Sequence, residues 1–400
     1  MFKKIKYWTL DVARVMRREL NLSLTDVGVL LFFIFLPLAY PLVYTLIYNP
    51  EVAREIPVAV VDDCRSAQSR EFVRMTDATE AIHIIGYATD MAEARRWKDT
   101  KDCYGILYIP HDYSRSLGRG EQANVTFYSD MSLLLRYRSM LMSMTNLQLA
   151  AGAKIRTETM SSLGMAGASM SGSPVENVSF MLGDTEQGFA SFVIPGIIIL
   201  ILQQSMLLGI TLLGGTSYER RLRNGGFDPL AIRASATATV IGRMLCYVLI
   251  YMPITVYVLH FVPIFFSLPH IGSPLQYFPF IFPMLIATAF LGMTVETIVK
   301  EREMSFMVVV FTSVVFLFLS GLTWPRYAMS RLWLAIGDLI PATWGMEGFI
   351  RINSNNATIY DNSQCYLMMW ALAIFYFFTA IWTCRYTAYT ARRDALSTAS

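Results

Sequence analysis

The residues able to do chemistry are few and far apart. Four histidines, His83, His111, His260 and His270, show none of the short spacings that set two metal ligands side by side. Neither a G-x-x-x-x-G-K-[ST] phosphate loop nor a G-x-S-x-G nucleophile elbow occurs. The sequence therefore offers no catalytic residue, no cofactor-binding residue and no metal-ligand set, and it lacks the phosphate loop that would hold ATP. Asp62-Asp63 reads as a solvated turn. Cys64 follows one β-type run and Cys103 precedes another. If those strands are parallel, the thiols sit at opposite ends of a sheet, roughly 20 Å apart at ~3.3 Å per residue, so no disulfide is expected. Gln203 and Gln204 fall in the middle of an apolar run, after Pro195-Gly196. A polar pair at that depth faces protein or a water-filled path, and pathway lining and helix–helix hydrogen bonding are both open. Glu296 lies near Lys300, and an interfacial pair is expected there.

The elements that must position these groups belong to a membrane. The 400 residues are 54% hydrophobic and only 16% charged, and mean hydropathy is +0.43. The net charge of +3 gives no reason to expect nucleic acid. Apolar runs at 27–48, 189–213, 240–262, 277–299, 305–322 and 365–384 reach the ~20 residues that cross ~30 Å of hydrocarbon. No cleavable leader is expected, because residues 1–26 carry charge throughout. There Phe2, Ile5, Trp8, Val12, Val15, Met16 and Leu20 make one helical stripe, and Lys3, Lys4, Lys6, Arg14, Arg17 and Arg18 fill the other side. That pattern predicts a cytoplasmic amphipathic helix in the membrane interface. Arg220, Arg221, Arg223 and Arg233 in the loop 214–239, Lys300 and Arg302, and Arg385, Arg392 and Arg393 in the tail 385–400 place both termini in the cytoplasm of a multi-pass inner-membrane protein. Residues 331–350 are apolar but interrupted by Asp338, Pro341 and Glu347. They predict two short helices dipping into the outer leaflet rather than a seventh span.

Residues 49–188 are too polar for a span. Runs at 57–61, 81–86, 104–109 and 123–129 alternate with helical stretches near 65–75, 90–99 and 111–118, and a longer helix covers about 132–164. The expected fold class is thus an α-helical polytopic membrane protein with six transmembrane helices and an inserted α/β extracytoplasmic domain. The Gly/Ser/Met stretch 161–173 reads as a hinge.

This organisation resembles the permease subunit of a type-two ATP-binding cassette exporter of the subgroup with a large extracytoplasmic domain between its first two spans. The matching stretches are the basic helix ending in MRREL, the Pro37-containing first span, PVAVVDDCRSAQSREFVR and YGILYIPHDYSRSLGRGEQANVTFYSD. To these add SYERRLRNGGFDPL, SGLTWPRYAM and LIPATWGMEGFIRI. The resemblance implies three roles. A short helix in the first cytoplasmic loop, Tyr218, Glu219, Arg220, Arg221, Leu222, Arg223 and Asn224, would seat in a groove of the ATPase; Arg220 to Asn224 depart from the usual E-K-E-x-G-T pattern of that loop. The basic helix 2–20 would flank the ATPase and transmit its closure. The segment 331–350, with Pro341, Trp344 and Glu347, would form the outer gate. It further implies a cytoplasmic ATP-binding subunit carrying ATP and Mg, no cofactor on this chain, a second permease copy or paralogue, and a periplasmic adaptor with an outer-membrane channel as further partners. The activity implied is efflux of an amphipathic or hydrophobic substrate by alternating access. A surface receptor or scaffold without transport is the competing class, and an intact coupling loop argues against it.

Overall fold

In the computed structural model the described residues are 2–48, 54–100, 102–119, 121–131, 134–162, 189–226, 228–268 and 270–399. The chain divides into two units, Met1–Asn49 with Met181–Ser400, and Pro50–Phe180. The first opens with α1 (Phe2–Thr25). Asp26 ends it and caps the next helix: its carboxylate accepts from the backbone N–H groups of Gly28 and Val29, satisfying donors that a helix start leaves free. Beyond this break α2 (Val27–Val29) runs through a π-helical stretch, Leu30–Phe35, into α3 (Leu36–Tyr48), which contains Pro41.

The unit Pro50–Phe180 holds β1 (Ile56–Asp62), α4 (Ala67–Asp77), β2 (Ile82–Tyr87), α5 (Met91–Asp99), β3 (Gly105–Ile109), α6 (Tyr113–Gly118), β4 (Thr126–Ser129) and α7 (Leu134–Ser162). The strand order is β2-β1-β3-β4. β1 runs parallel to both neighbours, and β4 pairs antiparallel with β3. β1 is central, so Val58, Ala59, Val60 and Val61 are buried on both faces, as a continuous apolar run requires. Asp62 and Asp63 do more than face solvent. Asp62 accepts from the Cys64 and Arg65 backbone and from the Ser69 hydroxyl, and Tyr108 donates to Asp63. Cys64 and Cys103 are free thiols, the first after β1 and the second before β3. Of the hinge expected over 161–173, residues 163–173 lie outside the described residues, while 161–162 close α7.

The first unit resumes with α8 (Phe189–Arg223), α9 (Ala236–Val256), a π-helical stretch Tyr257–Phe261, and α10 (Val262–Phe265). It ends with α11 (Pro274–Val295), α12 (Arg302–Leu319), α13 (Arg331–Asp338), α14 (Pro341–Asn355) and α15 (Ser363–Ala399). Among the described residues six helices are long and apolar enough to cross a membrane: Val27–Ile47, Val193–Arg223, Ala236–Phe265, Pro274–Val295, Arg302–Leu319 and Ser363–Thr390. Most residues of the apolar stretch of Val193–Arg223 are buried and few of those in Arg302–Leu319, which makes α8 the centre of the bundle and α12 a peripheral helix.

One boundary differs from expectation in a way that bears on function. The loop expected over 214–239 starts ten residues later, because α8 continues unbroken to Arg223. Gly214-Gly215 does not break the helix: a Cβ on Gly215 would lie 3.0 Å from the Arg302 backbone and one on Gly214 2.8 Å from Glu296. The two glycines let other helix ends approach. Termination comes at Gly225 and Gly226, at φ +62° and +92°, where Gly226 N–H donates to the Arg221 carbonyl. Of the residues expected to form a short loop helix, Tyr218 to Arg223 are therefore the last turns of α8, and Asn224 follows its end. The segment 331–350 does divide in two, into α13 and the first part of α14.

Candidate functional site

Two polar clusters stand out from the apolar bundle. The first joins helix ends. Arg243, about two turns into α9, is 14% exposed and holds carboxylates on two other elements. Its Nη1 and Nη2 donate to Glu296, which caps α11, both at 2.5 Å. This is the two-pronged geometry that suits guanidinium to carboxylate. Its Nε donates to Glu19 of α1 at 2.9 Å, and the Tyr247 hydroxyl donates to the same oxygen at 2.5 Å. Burial works to raise the Glu19 carboxyl, but the Arg243 guanidinium, the Tyr247 hydroxyl and Arg18 outweigh it and hold the group below its ordinary range. The glutamate is thus a fixed anion inside the protein.

The cluster extends along the same ends. Arg18 pairs with Asp228 at 3.1 Å, and Arg220 reaches the other oxygen of that carboxylate at 3.3 Å. Asp228 is almost fully buried and also accepts from the Leu230 backbone, so α1, the end of α8 and the following loop share one anion. Glu219 accepts from the Arg302 backbone N–H at 2.8 Å, placing a carboxylate at the start of α12 where the helix dipole favours it. The Arg302 side chain pairs with Asp26. Close packing supports the polar contacts: a Cβ on Gly242 would lie 2.8 Å from the Val12 carbonyl oxygen, and the Trp8 indole donates to Thr237 at 3.3 Å.

The coupling candidates separate within this cluster. Glu219 and Arg220 turn inward to Arg302 and Asp228, whereas Leu222, Arg223 and Asn224 are exposed and Tyr218 and Arg221 are half-buried. Asn224 donates to the Arg220 carbonyl and helps end the helix. Glu296 does not pair with Lys300, as its spacing suggested. The sequence-near lysine loses to Arg243, which approaches from within the bundle. Sequence reading missed Glu19, Arg243, Tyr247 and Asp228. An arginine inside a predicted span was the available signal, since a charge there requires a partner.

The second cluster surrounds the break between α13 and α14. Arg326 pairs with Asp338 and with Glu347, the latter at 3.4 Å, and its guanidinium lies over the Trp344 ring at 4.6 Å. The Trp344 indole donates to the Asp338 carbonyl at 3.0 Å. Arg351 reaches Glu347 at 2.6 Å, and the Tyr376 hydroxyl donates to the Leu339 carbonyl at 2.7 Å. Of the three gate candidates, Trp344 and Glu347 meet Arg326, and Pro341 is buried at the first turn of α14.

Gln203 belongs with this second cluster. Fully buried, it accepts the Ala342 backbone N–H on Oε1 at 2.7 Å. It caps α14 from α8, a hydrogen bond between two helices. The Gln204 side-chain nitrogen and oxygen have no hydrogen-bond partner among the described residues and are shielded from solvent. No group of three or more His, Cys, Asp or Glu suited to a metal ion occurs among the described residues. Neither cluster has the nucleophile–base pairing that covalent catalysis needs. Both consist of groups that lock helix ends together.

A family model described as ABC-2 family transporter protein matches residues 28–382. No curated protein matches the chain.

Proposed function

The chain belongs to the ABC-2 family of transporter proteins, and we propose that it is the transmembrane permease subunit of an exporter driven by a separate cytoplasmic ATP-binding subunit. The observation that carries this reading is the charged cluster joining α1, the end of α8, α9, the end of α11 and the start of α12. A force applied at the exposed tip of α8 reaches α12 through Glu219 and α1 through Asp228 without crossing a flexible joint. Such a linkage converts closure of an ATPase dimer into helix motion. In this reading Leu222, Arg223 and Asn224 contact the ATPase, while Glu219 and Arg220 transmit. The basic ends lie in the cytoplasm of the inner membrane, and the unit Pro50–Phe180 is extracytoplasmic.

The α13–α14 break is the outer gate, held by Arg326 and capped by Gln203. A second permease copy or a paralogue completes the transporter, ATP and Mg stay on the partner subunit, and a periplasmic adaptor with an outer-membrane channel continues the route outward. The pathway is mostly apolar, which suits an amphipathic or hydrophobic substrate. The test is affinity purification of the tagged full-length protein in detergent with mass spectrometry of what remains bound. A stoichiometric ATPase, lost when Leu222→Asp and Arg223→Glu are combined, supports the reading. If no ATPase is retained even after mild crosslinking, the transport reading fails and a receptor or scaffold role replaces it.

A further inference from the structure

His260 and His270 are ten residues apart in sequence, yet their rings lie 6.2 Å apart, centroid to centroid, at 65°. The turn between them is built to bring them together. Ser267 takes a left-handed φ of 53°, and Leu268 N–H donates back to the Pro263 carbonyl at 2.9 Å. Ile271 N–H donates to the Asn353 carbonyl at 3.1 Å. A Cβ on Gly272 would lie 2.7 Å from the Ile352 carbonyl oxygen, so this close approach to α14 needs glycine.

The hydrogen bonds bear on which nitrogen each ring keeps free. His270 Nδ1 meets the side-chain amide oxygen of Asn353. That oxygen only accepts, so Nδ1 carries the hydrogen and Nε2 keeps its lone pair. Nε2 is shielded from solvent and has no hydrogen-bond partner among the described residues. His260 Nδ1 lies 2.8 Å from the Tyr277 hydroxyl oxygen, which can accept in the same way. With His260 in the tautomer whose Nδ1–H donates to Tyr277, both imidazoles hold Nδ1–H on oxygen and leave Nε2 as a base, as metal-ligating histidines do. An ion ~2.0–2.1 Å from each nitrogen holds two such rings with centroids about 5–6 Å apart.

We propose that His260 and His270 bind one imidazole-preferring divalent cation, of the zinc, copper or nickel class rather than magnesium or calcium, with water completing the coordination. The ion fastens the end of the π-helical stretch after α9 to the turn that enters α11. This inference does not depend on the transport reading, and neither does its test.

The experiment uses the full-length protein in detergent, purified on a tag without histidine, with zinc chloride added at one equivalent. Zinc X-ray absorption is expected to show a nitrogen/oxygen shell with the outer-shell signature of two imidazoles. The thermal unfolding midpoint is expected to rise with zinc and not with magnesium. His260→Gln and His270→Gln should each abolish the rise, and Tyr277→Phe should weaken zinc binding about 10–100-fold. A sulfur shell, a rise that survives both glutamine variants, or no binding overturns the proposal. If either variant fails to fold, the absorption spectrum of the unmodified protein decides.

Discussion

The two polar clusters use the same residue types to opposite effect. Around Arg243 the guanidinium, Glu19 and Glu296 side chains are 14%, 4% and 15% exposed. Around Arg326 the arginine, Asp338 and Glu347 are 19%, 38% and 29% exposed. Breaking a buried pair leaves a charge in a medium that cannot solvate it, which costs several kcal/mol. Breaking the more exposed pairs of Arg326 lets Asp338 and Glu347 turn to water, for a cost nearer ~1 kcal/mol. The first cluster therefore behaves as a fixed joint and the second as a latch. Under the proposed function, that asymmetry suits a machine that would transmit force from one end and open at the other.

The largest expected effect tests the joint. Arg243→Met leaves Glu19 and Glu296 buried without their cation and should cost about 3–5 kcal/mol, read as a large fall in the thermal unfolding midpoint in detergent. Adding Glu19→Gln and Glu296→Gln to that variant should recover much of the loss; if it does not, charge is not what matters there. Gln203→Leu comes next. It removes the acceptor of the Ala342 N–H and should cost about 1–3 kcal/mol, with faster amide exchange confined to the first turn of α14. Gly215→Ala should cost about 1 kcal/mol, because its new Cβ presses on the Arg302 backbone; an unchanged midpoint would mean that α8 and α12 separate readily. Arg326→Ala should be the mildest for stability, below about 1 kcal/mol, while raising the exchange of 331–340. If Arg326→Ala destabilises as much as Arg243→Met, the distinction between joint and latch is gone.

Much of the frame was legible in the sequence, for physical reasons. A span must be long and apolar, and the six helices long and apolar enough to cross a membrane fall on the six apolar runs, with end shifts of up to ten residues. Pro341 and two acidic residues inside an apolar run forced the break that the structure places between Asp338 and Pro341. The β-type runs at 57–61 and 104–109 match β1 and β3 closely, since a central strand is apolar on both faces. What escaped was pairing across distance. Arg243 and Glu19 are 224 residues apart, and periodicity within one helix says nothing about a partner on another. The loop expected from 214 starts later because Gly214-Gly215 permits contact within an intact helix. Gln203 could be placed at depth but not assigned a partner, since Ala342 N–H becomes a free donor only where α14 begins. His260 and His270 escaped because a turn, not a helical spacing, brings them together.

The most direct test of the joint-and-latch account is hydrogen–deuterium exchange mass spectrometry of the permease with its ATPase, with and without ATP and vanadate. The account predicts that nucleotide raises exchange over 326–345 while 12–20 and 240–247 stay protected. Increased exchange at 12–20 and 240–247, with 326–345 unchanged, would contradict it.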